Sequence, residues 1–507
     1  MKGRRVALAA LGAGVVLLAA PARQGPLLLG ADDPVPAPVE ELRLRVDRVL
    51  DQGRYGRATW GLLAVSLDRG DTLLVRNPEL PLIPASNLKV VTSAAALHHL
   101  GSGFRFITYV LTDAPVVDGV VQGNLIVYGT GDPGISDRFH RTRDTPFQEL
   151  AAQLTAAGIR EIRGRVMGDG SFLQGPLLGD GWEAGDLNEW FAAPSGALSF
   201  NENVFSVRVR PGAVSRPPEL LTVPEHLGVL VSNEAVTVQG RGRHPLWLLR
   251  DAPEDPIRVV GELSATSRDV WRQMTVRDPA LAAAHGFTHV LRQAGIAVTG
   301  YPGSLTERED SPVTPRTVWR AGEPMRVLAT FTSPPLGEYL QAVNQRSHNL
   351  YADLILKTLG RMVGEEGSFQ GGSAVVTRYL TEVVGIPEDQ VEIRDGSGLS
   401  ILNRISAGGL LGTLRYLAGT PEWEAFWESL PEAGTARLFR RMARTAAAGN
   451  LRAKTGTVDR VSALTGMVRT ADGERIVFSI VGNELPSETG AKRLEDQVGQ
   501  ALAEWRR

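Results

Sequence analysis

The sequence predicts an α/β chain, α+β in layout, in which an antiparallel sheet flanked by helices is interrupted by a large, mostly β insertion. Three observations predict it. Strand-like runs cluster near both ends, in "TWGLLAVSLDRGDTLLVRN" and in "LRAKTGTV", "SALTGMVRT" and "RIVFSIVGN". Segments with helical spacing of apolar residues accompany both clusters. From about 105 to 320 the pattern changes to many short Val/Leu/Ile runs broken by Gly and Pro. At 507 residues the chain exceeds a single compact core.

Taken in order, residues 1–22 read as an export leader. Lys2, Arg4 and Arg5 precede the apolar run Val6–Ala20, and Ala20-Pro21-Ala22 has the small-x-small form of a cleavage site. An uncleaved anchor is the alternative. Residues 23–39 are rich in Pro and small residues and read as a linker. Residues 40–105 and 322–507 are expected to form one domain, and 106–321 an inserted region of two nested, mostly β units. Within the first domain, "EELRLRVDRVLDQ" has helical spacing, Asp68-Arg69-Gly70-Asp71 supplies a hairpin turn, and helices fit 87–100, 337–361, 368–384 and 406–419. "AKRLEDQVGQALAEWRR" closes the chain as an amphipathic helix.

Composition removes several classes of function. The formal net charge is −2, so there is no basic field for nucleic acid. The chain has no cysteine, which excludes disulfides, thiolate metal sites and a cysteine nucleophile. No H-E-x-x-H or similar metal spacing occurs, and no metal or cofactor is expected.

Lysine is rare, at five residues, although Lys and Arg total 54. One of the five stands in "PASNLKVVTSAAAL", residues 84–97. Ser86 lies at a helix start and Lys89 one turn on, on the same face. Ser86 reads either as an ordinary N-cap or as a nucleophile. A serine hydroxyl needs a base; a lysine whose pKa is lowered by burial can serve, and arginine cannot. "RAKTGT" places Lys454-Thr455-Gly456 on a strand, where a glycine permits close approach of a bound substrate's backbone. From five lysines, roughly 0.03 chance K-T-G matches would be expected. S-x-N occurs twice, as Ser199-Phe200-Asn201 and Ser347-His348-Asn349. The second copy lies between the other two motifs on a helical segment and is the one chosen; the first is expected to be dispensable.

S-x-x-K, S-x-N and K-T-G in this order resemble the penicillin-interacting serine enzymes. With "GDGWEAGDL", "TSPPL", "NQRSHNLYAD", "DGSGLS" and "AKTGTVDRVSALTG", the chain from about residue 40 to its end is similar to the class C low-molecular-mass penicillin-binding proteins, serine D-Ala-D-Ala carboxypeptidases. The 261 positions from Ser86 to Ser347 match the two extra domains which that family carries there.

The resemblance implies a penicillin-binding transpeptidase-like domain and the following roles. Ser86 is the nucleophile and Lys89 its base. Ser347 relays protons, and Asn349 fixes Lys89 and the substrate amide. Lys454, Thr455 and Thr457 hold the terminal carboxylate, and Gly456 completes that motif. Backbone N–H groups of Ser86 and Thr457 form the oxyanion hole. Ser400 borders the cleft. Asp169 and Asp459 are expected to attract an amine on the third residue of the stem peptide, and with Ile401 after "GLS", where some relatives carry Arg, a distal carboxylate on that residue would be left unpaired, which favours lysine or ornithine there. The expected partners are peptidoglycan stem peptides and, as covalent inhibitors, β-lactams, with endopeptidase action on cross-links and peripheral membrane association left open. The expected location is the periplasm or cell envelope. A β-lactamase and a non-catalytic penicillin- or wall-binding module are the rivals. "EAGDLN" is one residue too long for the E-x-x-L-N spacing of the first, and intact Ser86, Lys89 and Lys454 argue against the second.

Overall fold

The computed structural model describes residues 36–250, 255–313, 325–435 and 440–507. The expected leader and most of the linker lie outside them. Helix Ala37–Leu50 begins three residues earlier than the linker boundary allowed. Pro38 sits in its first turn, where a missing N–H costs nothing.

Both chain ends build one five-stranded sheet, in the order Thr72–Arg76, Thr59–Ser66, Arg475–Asn483, Val461–Arg469, Arg452–Val458. Every pairing is antiparallel. The sheet is buried on both faces, and alternation sorts its side chains between two cores. Ile476, Phe478 and Ile480 face a core closed by helices Ala37–Leu50 and Glu488–Glu504. Val477 and Val481 face the larger core, built by helices Leu88–Leu100, Leu336–Gln345, Asn349–Met362 and Ala407–Ala418. In helix Leu88–Leu100 every side chain from Leu88 to Leu97 is buried, the polar Lys89, Thr92 and Ser93 on one face among them. Strand Arg452–Val458, which carries Lys454, is an edge strand.

The segment read as one helix over 337–361 is two. Leu336–Gln345 and Asn349–Met362 are separated at Ser347, whose φ is 55°. Apolar periodicity runs through the break because both helices pack on the same core, so the pattern alone could not reveal it.

In the inserted region, a mixed five-stranded sheet runs Gly303–Leu305, Val166–Asp169, Leu125–Tyr128, Ile107–Thr112, Arg326–Thr332. Its last strand pairs with Ile107–Thr112, so the sheet extends past the boundary set at 321. Short strands between Val204 and Thr275 form smaller sheets beyond it. The region also carries helices Thr145–Ala156 and Pro279–Gln293. It is fastened to the first domain along helix Asn349–Met362. Leu173, Ala193, Ala197 and Val204 pack on Leu350 and Leu354. Buried Lys357 donates to the carbonyls of Pro176 and Ser195, both at 3.1 Å.

Candidate active site

Ser86 lies in a single 3₁₀ turn, Ala85–Asn87, that leads into helix Leu88–Leu100. Ala85 has φ 47°, a left-handed conformation that a residue with a Cβ adopts only under constraint. Two glycines supply that constraint. A Cβ on Gly398 would stand 1.9 Å from the Ala85 carbonyl oxygen. One on Gly456 would stand 2.8 Å from the Pro84 carbonyl oxygen and 3.1 Å from Ser86 N. The glycine of K-T-G thus admits the protein's own backbone, where the sequence suggested the substrate's.

Lys89 is wholly buried. Its Nζ lies 3.0 Å from Ser86 Oγ, 2.7 Å from Asn349 Oδ1 and 2.5 Å from the Ser397 carbonyl oxygen. Burial lowers its pKa to about 8, against the opposing pull of Asp353 and Asp395. Asn349 is itself oriented by the inserted region, since its Nδ2 donates to the Phe191 carbonyl at 2.8 Å. Two residues back, Ser347 Oγ accepts from Lys454 Nζ at 2.9 Å, and the same amine donates to the Thr455 carbonyl at 2.7 Å. Lys454 is fully buried, and burial, with repulsion from Lys89, pushes its pKa well down. Ser86, Lys89, Asn349, Ser347 and Lys454 therefore form one connected cluster between the helices and the edge strand. Thr455 is half-buried and Thr457 exposed on that strand.

The loop 395–403 walls this cluster and depends on Asp395. That carboxylate accepts from the backbone N–H groups of Gly398 and Ser400, both at 2.7 Å, and from Asn403 Nδ2 and Trp182 Nε1, both at 2.9 Å. Trp182 belongs to "GDGWEAGDL", so the inserted region braces the loop. Asp353, one helical turn beyond Asn349, takes the Gly396 N–H at 2.9 Å. Burial pushes its pKa well up, Asp395 adds to this, and Lys89 opposes it. Sequence reasoning missed Asp353 and the bracing role of Trp182. The i, i+4 spacing from Asn349 was the available signal for the first.

Other expected residues stand elsewhere. Asp169 is completely buried in the inserted sheet, its carboxylate taken by Ser171 N and Ser311 Oγ, so it does not face the cleft. Asp459 is exposed in the turn after strand Arg452–Val458. Ser400 is buried, and its hydroxyl accepts from Leu402 N, so it shapes the loop from within. Ile401 is exposed beside it. Ser199 and Asn201 lie in the inserted region, with Ser199 Oγ donating to the Gly196 carbonyl. Among the described residues, no cluster of His, Asp and Glu could hold a metal ion, and no helix is long and apolar enough to cross a membrane.

The family model for the D-Ala-D-Ala carboxypeptidase 3 (S13) family matches residues 42–505. The chain is 33% identical over 497 residues to the D-alanyl-D-alanine carboxypeptidase of Actinomadura sp. (strain R39), covering 94% of this chain and 88% of that protein. It is 28% identical over 428 residues to D-alanyl-D-alanine carboxypeptidase DacB of Haemophilus influenzae, covering 82% and 84%. The crystal structure of penicillin binding protein 4 (dacB) from Haemophilus influenzae matches with a TM-score of 0.74 at 25% identity, over 90% of this chain and 98% of that one. The cluster around Ser86 thus sits in a chain that belongs to the D-Ala-D-Ala carboxypeptidase 3 (S13) family.

Proposed function

We propose that this serine D-Ala-D-Ala carboxypeptidase uses Ser86 to cleave the terminal peptide bond of peptidoglycan stem peptides, with Lys89 as its base, and that β-lactams acylate the same serine. The arrangement around Lys89 Nζ carries the assignment. Two of its three neighbours, Asn349 Oδ1 and the Ser397 carbonyl, can only accept hydrogen bonds. A neutral amine has two N–H donors and one lone pair. With both donors spent on those acceptors, the lone pair faces the third neighbour, the Ser86 hydroxyl.

Ser86 Oγ attacks the carbonyl carbon of the penultimate D-Ala while its proton passes to Lys89. The tetrahedral oxyanion is received by the N–H groups of Ser86 and Thr457. The C–N bond then breaks, and Ser347 passes a proton to the departing D-alanine amine. Water hydrolyses the ester and frees Ser86. Lys454, Thr455 and Thr457 hold the terminal carboxylate; that anion restores a charge on Lys454 that burial otherwise disfavours. A cation there also helps keep Lys89 neutral. Endopeptidase action is the same step with a larger amine leaving. The β-lactam-bound structure of the Haemophilus influenzae protein supports the inhibitor assignment, and an export leader at 1–22 fits a substrate outside the cytoplasmic membrane.

Mass spectrometry tests the proposal. Incubation with a D-Ala-D-Ala peptide should release one D-Ala, and benzylpenicillin should add to the peptide containing Ser86. Rapid turnover of penicillin without D-Ala release would favour a β-lactamase. The acylation rate should climb with pH, by about tenfold per unit below the Lys89 pKa, and level off above it, because only the neutral amine takes the proton. A flat stopped-flow profile from pH 5.5 to 9 would exclude Lys89 as the base.

A further inference from the structure

We propose that Glu202, from the inserted region, is a positioning residue for this reaction: acting through His348, it sets the geometry of Ser347 and Asn349. The inference rests on the functional reading above and adds a residue that no motif contains.

His348 stands between the two residues whose side chains meet Lys454 and Lys89. It is 2% exposed, and it follows Ser347, which is held at φ 55°. That left-handed backbone aims Ser347 Oγ at Lys454, and it persists only where neighbours enforce it. The His348 backbone N–H is tied to the Ala342 carbonyl at 3.1 Å, and its ring Nε2 lies 3.1 Å from Glu202 Oε2. Tyr351 and Trp190 pack edge-on against the ring at centroid distances of 4.8 and 5.8 Å. The ring has no freedom to turn without moving the residues on either side.

Glu202 is built for this contact. Arg138 donates to both its carboxylate oxygens, through Nε to Oε1 and through Nη2 to Oε2 at 2.8 Å, and Tyr351 Oη donates to Oε1 at 3.1 Å. Burial alone would raise the carboxyl pKa, but His348 and Arg138 outweigh it and hold the group well below the usual carboxylate range. The backbone beneath is strained. Asn201, Glu202 and Asn203 have φ of 52°, 57° and 58° in succession, and a Glu in that region is uncommon. The unused S-x-N copy holds this turn in place. Asn201 Nδ2 donates to the Val204 carbonyl at 2.6 Å. Asn203 Nδ2 donates to Ser199 Oγ at 2.9 Å and to the Pro194 carbonyl at 2.8 Å. Ser199-Phe200-Asn201, expected to be dispensable, thus lies under the residue that supports the copy at 347–349. With Phe191 holding Asn349, the inserted region grips this motif at two points.

The test is a double-mutant cycle in the full chain with Glu202→Gln and His348→Gln, reading benzylpenicillin acylation as a maximal rate and a half-saturating concentration. Each single variant should lose about tenfold or more in maximal rate, with the half-saturating concentration within about threefold and the melting temperature nearly unchanged. The double variant should be no slower than the slower single, because both changes break one path. A maximal rate within about twofold of the unchanged protein in Glu202→Gln, or losses that multiply in the double variant, would overturn the proposal. If Glu202→Gln does not fold, His348→Gln alone carries the same rate criterion. Failure of the unchanged protein to acylate would instead overturn the functional reading beneath it.

Discussion

Replacing Lys89 by arginine is expected to lower the acylation rate by about 10³-fold or more, within the range that a positioned base contributes. Arginine keeps the positive charge but does not surrender its proton near neutral pH. It also places five donors where, among the described residues, Lys89 Nζ meets three partners, Asn349 Oδ1, the Ser397 carbonyl and Ser86 Oγ. The larger head group is costly where the Lys89 side chain has no exposed surface, so circular dichroism and a melting curve should accompany the labelling. Normal penicillin labelling of a folded Lys89→Arg protein would show that another group takes the Ser86 proton.

The second large effect is expected at Gly456. An alanine there puts its methyl group 2.7 Å from Asn87 Nδ2, 2.8 Å from the Pro84 carbonyl oxygen and 3.1 Å from Ser86 N. The neighbours include backbone of the turn that carries the nucleophile, so the strand and Ser86 must separate. Overpacking of this kind costs about 1–3 kcal/mol of stability. A shift of the nucleophile on the ångström scale costs about 10²-fold in rate. Gly456→Ala should therefore lose most acylation while remaining folded. Wild-type labelling would mean that the oxyanion hole tolerates a wider gap than the geometry allows.

The groups proposed to react stood out in the sequence because chemistry restricts them to few residue types, and the structure places them around one cluster. Ser86, Lys89 and Lys454 could be picked out by spacing and by the scarcity of lysine. The antiparallel sheet was legible from the short strand-like runs, separated by turn residues, near both ends of the chain. The bracing around the site was not. Asp395 gathers four donors, one from Trp182 more than 200 positions away, and no local pattern marks such a meeting. Asp169 misled for the converse reason: an acid near a family motif can be a core residue satisfied by Ser171 and Ser311. The break at Ser347 was hidden because periodicity reports which face is buried and is silent on whether the helix is continuous.

The sheet joins Thr59–Ser66 to Arg475–Asn483, and this orders events in time. During synthesis the nucleophile at position 86 leaves the ribosome more than 360 residues before Lys454. The central partner of the first strand comes later still. Until it arrives, the hairpin Thr59–Arg76 has no sheet to join, and a hairpin alone is marginal in water. A site assembled from such distant segments forms slowly, because the loop between them must close first. The nascent chain consequently carries Ser86 without the neighbours proposed to activate it and to hold its substrate, and the proposed site is complete only when the last strands are in place.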